Sequence, residues 1–436
     1  MKRIVASVGL VALGTSGLQA DTASSLTSES AKPWSVSTTL RGFYDDNINS
    51  APDNAVLAHR GTMGFEVSPA ITVSWPWEQT SLNLGYIYSF KDYQFKPAGN
   101  TDTVDMTHSF NASLDHSFNE LYRANVRDSF VIGQEPDFLR AGNTYSTFQR
   151  LSGSNIRNYG NATFDGQLSP LLGFEVGYGN AYYNYAADQP HLATLIIPFQ
   201  PSEGGLLNRI EQTVHLDSRW QFTPETVFVV GYQFADTDYT EGQPLLDPAL
   251  FPGIVSNTRN NRGHYGYVGV DETFRPDLTG SLRVGARYTD YYNDTTASDN
   301  VTPFVQLSLR WNYGVESYVE GGFTHDRAAT DLVGNGLGTG NLTLDSETSA
   351  LYATVNHRLM PNLYGSLTGQ YQNSEYNGGQ LANQTDNFYT MGVNLEYRVC
   401  NYLSTQLGYN YDRLESDIPN RSFDRNRVYL GFTASY

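Results

Sequence analysis

The chain has 436 residues, a formal net charge of −18, a hydrophobic content of 39% and a mean hydropathy of −0.42. The acidic excess makes nucleic acid and anionic lipid surfaces poor partners, and a single cysteine, Cys400, excludes an internal disulfide framework. No stretch approaches the roughly 20 apolar residues that a spanning helix needs, which excludes a helical membrane protein.

The amino-terminal residues read as an export signal. Lys2 and Arg3 precede an apolar run from Ile4 to Leu13, and Leu18, Gln19 and Ala20 make a small-residue exit. The expected division is a cleavable signal over residues 1–20, a periplasmic segment over 21–32 and one β domain over 33–436. No cysteine adjoins the cleavage point, so lipid anchoring is not expected.

From Trp34 onward, apolar or aromatic residues alternate with polar ones, the period of strands with two different faces. Phe65, Val67, Ile71, Val73 and Trp75 form one such set, followed by Leu82, Leu84, Tyr86, Tyr88 and Phe90. Later sets include Phe228 to Phe234, Leu278 to Tyr288, Val305 to Trp311 and Met391 to Tyr397. About eighteen segments of this kind follow one another.

Short and long connections alternate between them. Tight turns fall at Asn119 to Glu120, Ser169 to Pro170, Thr223 to Glu225, Arg275 to Asp277, Pro361 and Asn401. Long polar loops occupy Ser50 to His59, Gly133 to Gly153, Ala187 to Leu207, Glu241 to Asn261 and Arg327 to Asp345, with shorter ones near Pro97, Asp294, Gly378 and Ile418. This sorting by side predicts an all-β fold, a transmembrane antiparallel up-and-down barrel with short periplasmic turns and long extracellular loops. An even strand number returns both termini to the periplasm. Trp34, Trp75, Trp77, Phe118, Tyr122, Trp220, Phe222, Trp311, Tyr313, Tyr397 and Tyr402 cluster on the short-turn side, as an interfacial girdle would.

The opposite parity should line the lumen. Its basic members are Arg41, Arg123, Arg127, Arg157, Arg209, Arg219, Arg283, Arg287, Arg310, Arg358 and Arg398. Glu66, Asp105, Asp217 and Glu320 are among the acidic ones. Such pairs either brace the wall and neutralise one another or set a transverse field that orients solutes. The loop Gly133 to Gly153, with Glu135, Asp137 and Arg140, either folds inward as a constriction or covers the outer mouth. Asp128 breaks the pattern, because its parity points to lipid. A bulge in the strand or a position above the hydrocarbon band would account for it.

The closing strand ends on Leu430, Phe432 and Tyr436, an aromatic terminus of the kind that outer-membrane barrels present to their assembly machinery. "RDSFVIGQEPD" at Arg127 to Asp137, "FYDDNI" at Phe43 to Ile48 and the closing "RNRVYLGFTASY" resemble the Putative β-barrel porin 2 family. The resemblance implies an outer-membrane barrel of porin character, and related barrels sit in exopolysaccharide export systems. It supplies no catalytic residues.

The expected function is passive diffusion of small hydrophilic solutes through a mixed-charge, Arg-rich lumen, with no cofactor, no metal and no enzymatic step. The alternative is a channel for a saccharide, including exopolysaccharide export, with Tyr159, Tyr183, Tyr265, Tyr267, Tyr318 and Tyr352 stacking on sugar rings. A continuous track of these rings would favour the saccharide, and a scatter would favour diffusion. Asp45, Asp46, Asn47 and Asn49 offer oxygen ligands for calcium but lack the glycine turn and terminal Glu of a dedicated loop. Expected partners are outer-membrane lipid, the barrel-assembly machinery and the solutes themselves.

Overall fold

The structure is a computed structural model that describes residues 32–52, 61–94, 103–134, 144–148, 155–185, 199, 201–294, 299–334 and 341–436. The export signal and all but the end of the 21–32 segment lie outside these residues, as do Glu135, Asp137 and Arg140.

The described residues form eighteen antiparallel strands in one closed sheet. They are β1 (Trp34–Asp45), β2 (Thr62–Pro76), β3 (Thr80–Tyr93), β4 (Val104–Ser117), β5 (Tyr122–Gly133), β6 (Asn155–Gln167), β7 (Leu172–Tyr185), β8 (Arg209–Gln221) and β9 (Thr226–Tyr239). The second half continues with β10 (Asn261–Arg275), β11 (Leu278–Asp290), β12 (Asn300–Gly314), β13 (Ser317–Ala328), β14 (Asp345–Met360), β15 (Leu363–Asn377), β16 (Thr385–Cys400), β17 (Leu403–Ser416) and β18 (Phe423–Ser435). Each strand pairs with its neighbours in sequence, and β18 closes on β1 from Ser37↔Ser435 to Asp45↔Arg427. Closure leaves no unpaired edge, which is the condition for a sheet to sit in hydrocarbon.

The alternating residues separate as their period requires. Leu40, Met63, Phe110, Leu216, Val230, Val268, Leu309, Leu351, Leu407 and Phe432 all stand exposed on the outer face. In a water-soluble protein so continuous an apolar surface would aggregate. Here it is the lipid-facing belt. Trp34, Trp75, Trp77, Phe118, Trp220, Phe222, Trp311, Tyr397 and Tyr402 are exposed at its short-turn rim.

The seam is held by charge as well as backbone. Arg425 donates through Nε to both oxygens of Asp45 at 3.1 Å, and both side chains are buried. Asp45 is thus committed to Arg425 rather than free for calcium. Asp46 accepts from the Asn426 amide at 2.6 Å and from its Nδ2 at 2.7 Å.

The long connections pack on one another at the loop end. The helix α1 (Glu203–Leu207) starts at Ser202, whose hydroxyl accepts from the Gly205 amide at 3.0 Å. Leu245, Leu246, Val333 and Leu342 form a buried cluster that gathers Leu206, Phe251, Ile254 and Leu344 around it. Arg259 ties three connections together, donating to the carbonyls of Thr330, at 3.0 Å, and of Leu206 while lying 4.2 Å from the Tyr239 ring centroid.

Neither expectation for Asp128 holds. β5 pairs with β4 and β6 in unbroken register, Ala112↔Asp128↔Gly160, so no bulge turns the side chain inward. Outward-facing Phe130 and Ile132 lie beyond it on the loop side, so it is not above the apolar band. Its carboxylate is instead held by Asn158, whose Nδ2 donates to both oxygens at 2.9 and 3.1 Å.

Candidate functional site: the lumen

Every lumen position expected from parity lies on the inner face, and most of the charges there are paired. Arg41 meets Glu66 at 3.0 Å across the β1–β2 pair, and Ser68 and Ser89 donate to the other Glu66 oxygen at 2.8 and 2.7 Å. Arg219 bridges Glu175 at 3.1 Å and Asp271 at 2.9 Å, and Arg283 takes both Asp271 oxygens at 2.7 and 3.0 Å. Asp217 accepts from the Tyr267 hydroxyl at 2.5 Å. That contact needs Gly231 beneath it, because a Cβ there would lie 2.2 Å from the Tyr267 ring. Arg287 reaches Asp326 at 3.3 Å, Arg310 reaches Glu320 at 2.8 Å, Arg358 reaches Glu316 at 3.3 Å and Arg398 reaches Glu396 at 3.6 Å. Asp105 is buried on β4.

Arg123 and Arg127 are different. Both are exposed on the inner face of β5, and neither makes an ion pair or hydrogen bond among the described residues. They turn cationic charge toward the lumen, with Asp165 on β6 opposite Arg123 in the register.

On the loop side a short stretch of the β5–β6 connection, residues 144–148, crosses to the opposite wall. The Tyr145 amide donates to Gln372 Oε1 at 2.8 Å while Gln372 Nε2 donates to the Tyr145 carbonyl at 2.9 Å, so the side-chain amide on β15 pairs with the backbone as a neighbouring strand would. Phe148 is buried among Phe388, Leu414 and Phe423 on β16, β17 and β18, with its ring 4.8 Å from that of Phe388. Beside it, Arg421 donates to Asp386 and Asp331, each at 2.8 Å. Burial raises the Asp331 carboxyl above its usual range, and Arg421 opposes that shift. Ser146 accepts from Arg209 at 3.1 Å on the other side. The stretch therefore spans the lumen between two walls.

Between the crossing stretch and the wall from β6 to β14 lies a cavity of about 280 Å³. Arg157, Arg209, Arg287 and Arg327 border it with Glu211, Asp326 and Asp345, and Tyr159, Tyr183, Tyr185, Tyr239 and Tyr265 fill the spaces between. Arg209 is fully buried, donating to Glu211 at 2.6 Å and stacking 4.0 Å over the Tyr183 ring. Such a wall offers hydrogen-bond donors and acceptors in fixed positions with few flexible side chains.

The six tyrosines named for sugar stacking do not form one track. Tyr159, Tyr183 and Tyr265 border the cavity, and Tyr267 is packed with Phe304 at 5.7 Å. Tyr318 lies under Arg310 at 4.2 Å near the short turns. Gln372, Phe148, Asp331 and Arg421 were not singled out from sequence. Gln372 is one polar residue in a run of inward polar residues on β15, and its role exists only once the crossing stretch arrives.

Comparison with known proteins adds a family likeness over the second half of the barrel. Residues 252–436 match the family described as Putative beta-barrel porin 2. The matched region holds the last nine strands and the seam residues on β18. No curated protein matches the chain. Among solved structures, OccAB4 of Acinetobacter baumannii aligns over 94% of this chain and 99% of its own, with 11% identity and a TM-score of 0.42. OpdK of Pseudomonas aeruginosa covers 92% and 99% with 11% identity and a TM-score of 0.42, and a BenF-like porin from Pseudomonas fluorescens Pf-5 covers 92% and 99% with 10% identity and a TM-score of 0.43. The barrel assignment rests on the strand pairing itself. Closed strand pairing and the apolar belt make this a membrane-spanning β-barrel, and its second half is similar to the porin family named above.

Proposed function

We propose that this chain is a diffusion channel for small hydrophilic solutes, narrowed on its loop side by residues 144–148. The observation that carries the reading is the crossing stretch itself, docked between Arg209 and the Gln372–Phe388 wall within a polar, charge-paired lumen. Eighteen strands enclose more space than side chains fill, so water occupies the remainder. Paired charges hold the wall rigid, and solutes exchange hydrogen bonds with it as they pass. Four of the six tyrosines gather at the loop-side cavity while Tyr318 lies apart near the short turns, an arrangement that favours diffusion over a saccharide track running the length of the pore.

Purified barrel in a planar bilayer should give stepwise conductance. Under a salt gradient, the Arg123→Ala, Arg127→Ala double variant should move the reversal potential toward cation preference relative to the parent, since it removes unpaired positive charge. A barrel that inserts and never conducts would reject the channel.

A further inference from the structure

The outer face carries a polar patch that a channel wall does not need. Asp128 lies mid-strand on β5 with Ala124 and Val126 on its short-turn side and Phe130 and Ile132 on its loop side. Its depth follows from the register. Successive partners across the sheet run from Trp34, in the short-turn girdle, through Leu84, Ala112, Asp128, Gly160 and Asn180 to Arg262 at the loop end of β10. Because barrel strands tilt, a row perpendicular to them climbs through the bilayer. Asp128 stands near the middle of that climb, inside the hydrocarbon.

A carboxylate exposed to lipid at that depth costs a few kcal/mol. Asn158 supplies two contacts from one amide nitrogen, which leaves acceptor capacity on Asp128 unused. Beside it, Gly160 and Ala162 make a shallow depression, and on the far side of that depression Tyr178 is 43% exposed and Asn180 also faces outward. Acceptor and donors thus flank a strip of small residues on β6.

We propose that this patch docks a second copy of the chain, β6 against β6, about a two-fold axis along the membrane normal. That operation places β5 of one copy opposite β7 of the other, so Asp128 meets Tyr178 and Asn180 twice over. Both halves of the complement are already on the patch. Small side chains at the axis let the two walls approach closely, and interchain hydrogen bonds replace contact between the carboxylate and lipid. A dimer of this kind leaves each lumen intact, so it stands or falls independently of the channel reading.

The test uses the full chain in a Cys400→Ser background. With Gly160→Cys, oxidation in membranes by copper phenanthroline should give a disulfide-linked dimer. The Cβ at residue 160 meets only ordinary contacts, at 3.4 Å from Asp128 and 4.0 Å from Asn180, so the barrel should tolerate it. Leu395→Cys, outward on β16, should give none. Light scattering of the parent in mild detergent should report two copies, and Asp128→Ala should weaken association about tenfold, ~1.4 kcal/mol. Folding of each variant is read separately from the heat-dependent mobility of the barrel. A folded Gly160→Cys barrel that stays uncrosslinked, crosslinking equally from Leu395→Cys, a parent of one copy or of three, or a different protein bound at the patch would each overturn the proposal.

Discussion

Asp417 accepts from the amide of Thr385 at 2.9 Å and from its hydroxyl at 2.7 Å, holding the first residue of β16 in place. The Thr385 hydroxyl, then its amide, lower the Asp417 carboxyl below the usual aspartate value of 3.8. A depressed carboxyl contributes stability that is present above its unfolded value and is lost as pH falls through the folded one. The protection factor of the Thr385 amide in hydrogen exchange should therefore hold from neutrality to about pH 4 and decline below it. Asp417→Asn should show weak protection throughout. Like most loop-end contacts, this one was not legible in the sequence, because Asp and Thr are ordinary loop residues and their meeting depends on which strand ends adjoin.

The strands and the crossing stretch depend on different forces. A strand is specified by alternation, and each of the eighteen finds its register because a slip of one residue would put charges into lipid. The crossing stretch has no such pattern. Among the contacts that hold it are the amide exchange with Gln372, the hydrogen bond from Arg209 to Ser146 and the packing of Tyr145 and Phe148 against Phe388. Phe148→Ala should forfeit about 3–5 kcal/mol of that packing, and with Gln372→Ala added the stretch should leave the wall. Single-channel conductance of the double variant should rise above that of the parent. An unchanged conductance would mean that the stretch does not narrow the path. Inward folding of this connection was one of two sequence expectations, and nothing in its composition could choose between them: the Phe388, Leu414 and Phe423 cluster that receives Phe148 is drawn from three later strands.

The barrel as a whole is closed by one seam, and a buried charge pair sits on it. Asp45→Ala removes the carboxylate from a guanidinium that is almost wholly buried, a change that costs about 3–5 kcal/mol. The temperature at which the barrel loses its compact electrophoretic mobility should fall accordingly. A smaller loss in a double variant with Arg425→Met would show that the cost comes from the guanidinium left buried without its carboxylate. The loops add a second layer of order, since the Leu245 cluster and Arg259 bind connections that are distant in sequence.

Strand number, the sorting of short turns from long loops, the apolar belt and the inward parity of the arginines were all present in the sequence. Each follows from a period of two and from the need to hide backbone in hydrocarbon, and both act on neighbouring residues. Pairing partners were not. Which carboxylate meets Arg219, where residues 144–148 dock and why Asp128 keeps its outward position depend on strand stagger and on walls that face one another across the barrel. Stagger between neighbouring strands decides the first and the last, and closure decides the second, because only a closed sheet sets the β5–β6 connection opposite β15 to β18.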